Sequence, residues 1–243
     1  MARIELLDFL RGVALLAMTV FHFAFDLQLF GFREPGFIDQ PHWKYFARGI
    51  ASSFLFLVGF SLYLAHCQGV KWASWRWRMT KIMAAALVIT IATYFATPAQ
   101  YIFFGILHQI AFASLAGLLF LKLPVVFTLL CAVAVFWAGQ TVELAALNHP
   151  FWWWTGLSET RPMSSDYVPV FPWWSASIAG VAVAKLCSEF GALPNLALPK
   201  LDQAPSRLLK FIGRHSLAYY LVHQPVMIGG FLLFMLATGR VSL

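Results

Sequence analysis

The sequence predicts an all-α polytopic bundle of about seven transmembrane spans with a cytoplasmic N-terminus, and three observations carry that prediction. Of 243 residues, 60% are hydrophobic and 11% charged, well under the roughly 25% charged share of soluble domains. The apolar residues gather in runs long enough to cross a hydrocarbon core, which takes roughly 20 residues. The basic residues collect in a few connections, as the Lys/Arg bias toward the cytoplasmic side places them. Lysine and arginine spread in this way account for the net charge of +7 without nucleic acid as a partner.

The first span, Arg3 to Phe30, is apolar enough to cross as one helix yet carries Asp8, Arg11, His22 and Asp26. At about 100° per residue from His22, Asp8 and Asp26 fall near +40°, Thr19 near +60° and Arg11 near −20°. They form one stripe. An ionisable group facing lipid costs several kcal/mol, so the stripe should face the bundle interior or a wet cavity. Asp8 and Arg11 interrupt any short apolar leader and no small-residue cleavage site follows, so this helix is expected to remain in the mature chain. Residues 31 to 44, with Gly, Pro, Asp and His42, read as a loop. The second span, Tyr45 to His66, has Arg48 near its start and a small-residue patch, Gly49, Ala51, Ser52 and Ser53, that permits close helix contact.

The segment GVKWASWRWRMTK carries Lys71, Arg76, Arg78 and Lys81 without an acid, the clearest cytoplasmic loop. The third span, Ile82 to Ala96, ends at a tight connection containing Pro98. The fourth, Tyr101 to Leu121, contains His108 and Gln109, and Lys122 to Pro124 turn into the fifth, Val125 to Thr141. From Val142 to Val168 the chain is polar and aromatic, with Trp152 to Trp154, Glu143, Glu159, Arg161 and Asp166. Its excess of acid over base puts it outside, with the tryptophans as an interfacial belt in preference to a sugar-stacking platform. A short extra or re-entrant segment within 142–170 stays open. The sixth span, Pro172 to Leu186, leads to a Pro-containing loop whose surroundings hold Lys185, Lys200, Arg207, Lys210 and Arg214 against Glu189 and Asp202. The seventh, Arg214 to Leu236, carries Ser216, Tyr219, Tyr220, His223 and Pro225. No internal repeat or second domain is visible, so residues 1–243 read as one transmembrane domain. Cys67, Cys131 and Cys187 are scattered without zinc-type spacing, and no metal is expected.

Helix rise places His22 about 24 Å up a core of about 30 Å, with His108 and His223 at comparable depths, so three histidines can meet at one intramembrane site. His22 and Asp26, at i and i+4, form a candidate general-base dyad: the carboxylate accepts one imidazole N–H and leaves the other nitrogen as base. The plainer alternative is that His22 bonds a neighbouring helix and Asp26 caps the span. Asp8 and Arg11 are either an internal ion pair or, with Arg76, Arg78 and Arg214, part of a guanidinium seat for an anionic ligand arriving from the cytoplasm. His108 and Gln109 either bridge helices or join Tyr220 and His223 in holding a substrate. Such residues also suit a proton-coupled transporter with His22 and Asp26 as relay, against which the lack of inverted repeats counts, or a b-type haem protein with two histidine ligands.

The stretch LLDFLRGVALLAMTVFHF resembles the opening helix of the membrane acyltransferase superfamily, with the Arg11 and His22 spacing of the acyltransferase-3 proteins. FFGILHQIA around His108, DYVPVFPWW at 166–174 and GRHSLAYYLVHQPV at 213–226 resemble the bacterial branch of the heparan-α-glucosaminide N-acetyltransferase-like family. The resemblance implies transfer of an acetyl group from cytoplasmic acetyl-CoA to a hydroxyl or amine of an extracytoplasmic sugar or glycolipid, in a bacterial inner membrane. It also implies Arg11 and His22 as the functional pair, with acetyl-CoA as co-substrate. The eukaryotic namesake carries its histidine in the loop after this helix, which makes His42 a reserve candidate. The acceptor, the acyl chain length and the choice between monomer and homodimer stay open.

Overall fold

The computed structural model describes residues 4–196 and 203–240; Arg3, Lys200 and Asp202 lie outside the described residues. Helices follow one another as α1 (Glu5–Leu29), α2 (Pro41–His66), α3 (Trp72–Ala96), α4 (Ile106–Ala116), α5 (Val125–Thr141), α6 (Val170–Glu189), α7 (Ala204–Arg214) and α8 (Ser216–Ala237). Five of them, α1, α2, α3, α6 and α8, are long and apolar enough to cross a membrane; α4, with its 3-10 extension to Phe120, and α5 are shorter apolar helices. The molecule is an all-α polytopic membrane bundle, and each expected span has its helix.

The ends differ from expectation for local reasons. Proline is favoured at the first helical position, and α2 starts at Pro41, so His42 stands in a helical turn. The basic segment after Gly69 is helical from Trp72 onward, and within it Lys81 lies 5.2 Å from the Trp77 ring centroid one turn back. The fourth span begins only at Ile106, since residues 101–105 run irregularly and bond sideways, Val168 donating to the Phe104 carbonyl at 3.1 Å. His215 breaks the last span. Arg214 therefore ends the short amphipathic α7 and is no part of the membrane helix. Within 142–168, only two 3-10 turns, Ala145–Leu147 and Pro150–Thr155, interrupt the irregular chain.

The chain forms two compact units, one of Met1–Ile50 with Leu196–Leu243 and the other of Ala51–Asn195. In the first, α7 runs antiparallel to α1 at backbone contact. A Cβ on Gly12 would run into the Leu209 carbonyl and one on Gly213 into the Asp8 carbonyl, so two glycines set this crossing. The outward face of α1 carries Val13, Leu16, Val20 and Phe23, all more than 40% exposed, while Asp8 and Asp26 are at 1% and 0%. Apolar side chains outside and charges inside are what a lipid-bathed helix requires.

In the second unit, α5 packs on α6, and α4 on α3 and α6. One end gathers the 66–72 and 118–122 connections and the close of α6, where buried Lys185 donates to the Phe120 and Leu123 carbonyls and to Thr128 Oγ1. Lys185 is thus an internal brace, although its sequence position had placed it among loop cations. At the other end Ser165 and Val168 bond to the carbonyls of Gln100 and Phe104. Trp153 and Trp154 pack on Phe103 and Phe104 at 6.2 Å in each case. The first end carries Lys71, Arg76, Arg78, Lys81 and Lys122; the second carries Glu143, Glu159 and Asp166 with Arg161.

Candidate functional site

Helices α1 and α8 run parallel, and the polar stripe of α1 faces polar residues of α8 along one seam. Thr19 and Tyr219 share a hydroxyl hydrogen bond of 2.8 Å. The Tyr219 ring lies parallel to that of His223, 6.3 Å away and 4° from coplanar orientation. One step further along, the His22 and His223 rings meet edge to face with centroids 5.1 Å apart. Rings this close leave no room for a macrocycle between them, so the pair is not a bis-histidine haem site. Tyr220 completes the group at 5.6 Å from His223. The 100° periodicity therefore identified the faces that meet.

It misidentified one pairing. Asp26 Oδ1 accepts from Gln224 Nε2 at 2.7 Å, and among the described residues neither Asp26 Oδ2 nor the His22 ring makes a hydrogen bond. The expected Asp26–His22 dyad is not formed: the carboxylate engages a donor reaching across from α8, and its second oxygen stays unpartnered among the described residues. Gln224 was missed altogether; its only sequence signal is its place between His223 and Pro225. His223 Nδ1 lies 2.6 Å from the Tyr220 carbonyl, and its Nε2 is buried without a partner among the described residues.

Toward the start of α1, charges from α1 and α7 interlock. Arg11 pairs with buried Asp8 at 2.9 Å, and Arg214 Nε approaches the other Asp8 oxygen at 3.5 Å. Glu5, also missed, accepts from Lys210 at 2.7 Å and lies 3.5 Å from Arg214. The internal ion pair thus exists, and among the described residues it joins Arg11, Lys210 and Arg214 with Asp8 and Glu5. The Arg214 side chain is 42% exposed and Arg11 25%, so both keep a face outward.

Arg76, exposed, and Arg78, half-buried, are on α3 in the other unit, as are His108 and Gln109 on α4. His108 is fully engaged: Nδ1 accepts the Gly105 N–H at 3.2 Å, so Nε2 carries the proton and donates it to Thr90 Oγ1 at 3.3 Å. Asp166 closes the same helix start by accepting the Ile106 N–H at 2.9 Å. Gln109 is wholly buried, with neither amide atom partnered among the described residues. His42 and Arg48 are exposed on α2 beside Trp43 and Tyr45. Among the described residues no group of three or more His, Cys, Asp or Glu could hold a metal ion.

Compared with known families, residues 3–225 match the family model described as heparan-alpha-glucosaminide N-acetyltransferase, catalytic. No curated protein and no solved structure matches the chain. The match runs from the start of α1 through Pro225 and so takes in both walls of the histidine seam.

Proposed function

Since the chain belongs to the heparan-α-glucosaminide N-acetyltransferase catalytic family, we propose that it moves an acetyl group from cytoplasmic acetyl-CoA to a hydroxyl or amine of an extracytoplasmic sugar or glycolipid, across a bacterial inner membrane. The observation that carries this reading is the His22–His223 contact of 5.1 Å inside a polar seam between two membrane-length helices. Positive charge at the start of α1 meets the CoA phosphates through the outward faces of Arg11 and Arg214, because a guanidinium matches phosphate geometry. Arg76 and Arg78, on the other unit, are read as cytoplasmic from the Lys/Arg bias alone. Eleven residues at about 1.5 Å rise separate Arg11 from His22 by roughly 16 Å, a distance that suits an extended pantetheine arm.

At the far end of that arm the imidazole pair meets the thioester. An imidazole there serves as general base toward the acceptor or takes the acetyl group itself. Tyr220 and Gln224 line the place where the acceptor enters. In this reading His108, with both ring nitrogens engaged, holds the start of α4.

Acetyl transfer from labelled acetyl-CoA to acceptor in proteoliposomes tests the proposal. His22→Ala is expected to lose about 10²- to 10⁴-fold in rate, the range for a positioned acid or base. Arg11→Ala should raise the KM for acetyl-CoA, and because it uncovers buried Asp8 the more exposed Arg214→Gln repeats the test. Absence of transfer by the wild-type protein, or undiminished transfer by folded His22→Ala, overturns the reading. Uptake that needs no acetyl-CoA would point to transport.

A further inference from the structure

Of the two imidazoles in the seam, only His223 has its tautomer fixed. Its Nδ1 is 2.6 Å from the Tyr220 carbonyl, and a carbonyl can only accept, so in the neutral ring Nδ1 carries the hydrogen and Nε2 carries a lone pair. That Nε2 is buried on a residue only 8% exposed and has no partner among the described residues. Two further acceptors share the seam in the same condition, Asp26 Oδ2 and Gln224 Oε1, with Asp26 wholly buried. A lone buried acceptor is costly, and three along one helix pair describe a place built to receive a ligand rich in O–H or N–H donors.

From this we infer that His223, rather than His22, is the general base of the reaction, and that Asp26 Oδ2 and Gln224 Oε1 take hydrogen bonds from neighbouring donors of the same acceptor molecule. The assignment rests on the acetyltransferase reading. His223 Nε2 removes the proton from the acceptor O–H or N–H as that oxygen or nitrogen bonds to the thioester carbonyl carbon. Collapse of the tetrahedral species breaks the C–S bond, and the proton held on Nε2 passes to the departing thiolate, which leaves as CoA–SH. Nothing is oxidised or reduced, and the base ends as it began. His22 faces the base edge-on and is left to donate an N–H to the thioester oxygen as it gains charge.

His223→Asn is the discriminating variant, because an asparagine amide reproduces the Nδ1–H donor to the Tyr220 carbonyl while removing Nε2. In the proteoliposome assay kcat should fall about 10²- to 10⁴-fold while KM for both substrates stays near its wild-type value. The rising limb of the kcat–pH profile should disappear with it. Added imidazole should restore part of the rate in His223→Ala. Nitrogen NMR of ¹⁵N-histidine wild-type protein, with the His223→Asn spectrum for assignment, should show the neutral ring protonated at Nδ1. Undiminished kcat in His223→Asn, folded His223→Ala without imidazole rescue, or an Nε2–H ring would each overturn the assignment. In all three cases wild-type transfer would leave the acetyltransferase reading standing, whereas a wild-type protein that transfers nothing would remove that reading first.

Discussion

His108 and His223 are alike in type, in helical setting and in partial or full burial, and they differ in what their ring nitrogens touch. At His108 both nitrogens are committed, one to the Gly105 N–H and one to Thr90, and the ring joins the start of α4 to α3. At His223 only one is committed, to a carbonyl of its own helix, and the other faces the seam beside His22. A satisfied imidazole is a strut, whereas one with a buried spare lone pair can still accept from a ligand. Burial alone would have ranked the two together. Hydrogen-bond accounting separates them.

The largest effect that can break this contrast is on turnover. Where the seam variants His22→Ala and His223→Asn lose orders of magnitude in rate, His108→Ala should keep the turnover of each folded molecule and lose stability instead. Two hydrogen bonds disappear, leaving the Gly105 N–H without its partner and Thr90 with its bond to the Ile102 carbonyl, a cost of about 1–3 kcal/mol. Thermal unfolding in detergent, read together with specific activity per folded protein, checks both halves. A His108→Ala protein of normal midpoint and lost activity would reverse the roles of the two units. Thr90→Val removes the bond accepted from His108 and the one donated to the Ile102 carbonyl at 2.7 Å, about 1 kcal/mol each, and only the His108 share should vanish in a His108→Ala background.

The sequence revealed the spans because apolar length is a strong signal, and it revealed the faces of α1 and α8 because 3.6 residues per turn converts spacing into direction. Its failures share one cause. Asp26 was paired with His22 by proximity along α1, and the true partner, Gln224, sits on a helix about 200 positions away that periodicity cannot bring alongside. The α7 helix was hidden because Arg207, Lys210 and Arg214 read as loop charge, and only the backbone contact of Gly12 and Gly213 against their neighbours shows that this segment clasps α1. His108 was legible in half: its bond to the Gly105 N–H lies within one turn, but Thr90 belongs to another element. Residue type and spacing specified who faces the interior, and partnership across helices required coordinates.

The smallest expected effect sharpens the contrast through a third kind of polar group, a proton that the fold locks in place. Tyr167 donates to the Trp153 carbonyl at 2.6 Å in the irregular 142–168 segment. Burial pushes its phenol up from 10.0 to about 12, against the opposing pull of Arg161. Since the folded chain keeps a proton that the unfolded chain sheds, the contribution of Tyr167 is intact below pH 10 and declines as pH rises from 10 to about 12. Tyr167→Phe removes the bond at a cost of about 1 kcal/mol at neutral pH and should flatten the alkaline loss of the unfolding midpoint over that window. Acetyl transfer between pH 6 and 9 should not respond, because no proton on this hydroxyl moves there. A shift in the neutral pH–rate profile of Tyr167→Phe would instead connect this loop to the proton chemistry of the histidine seam.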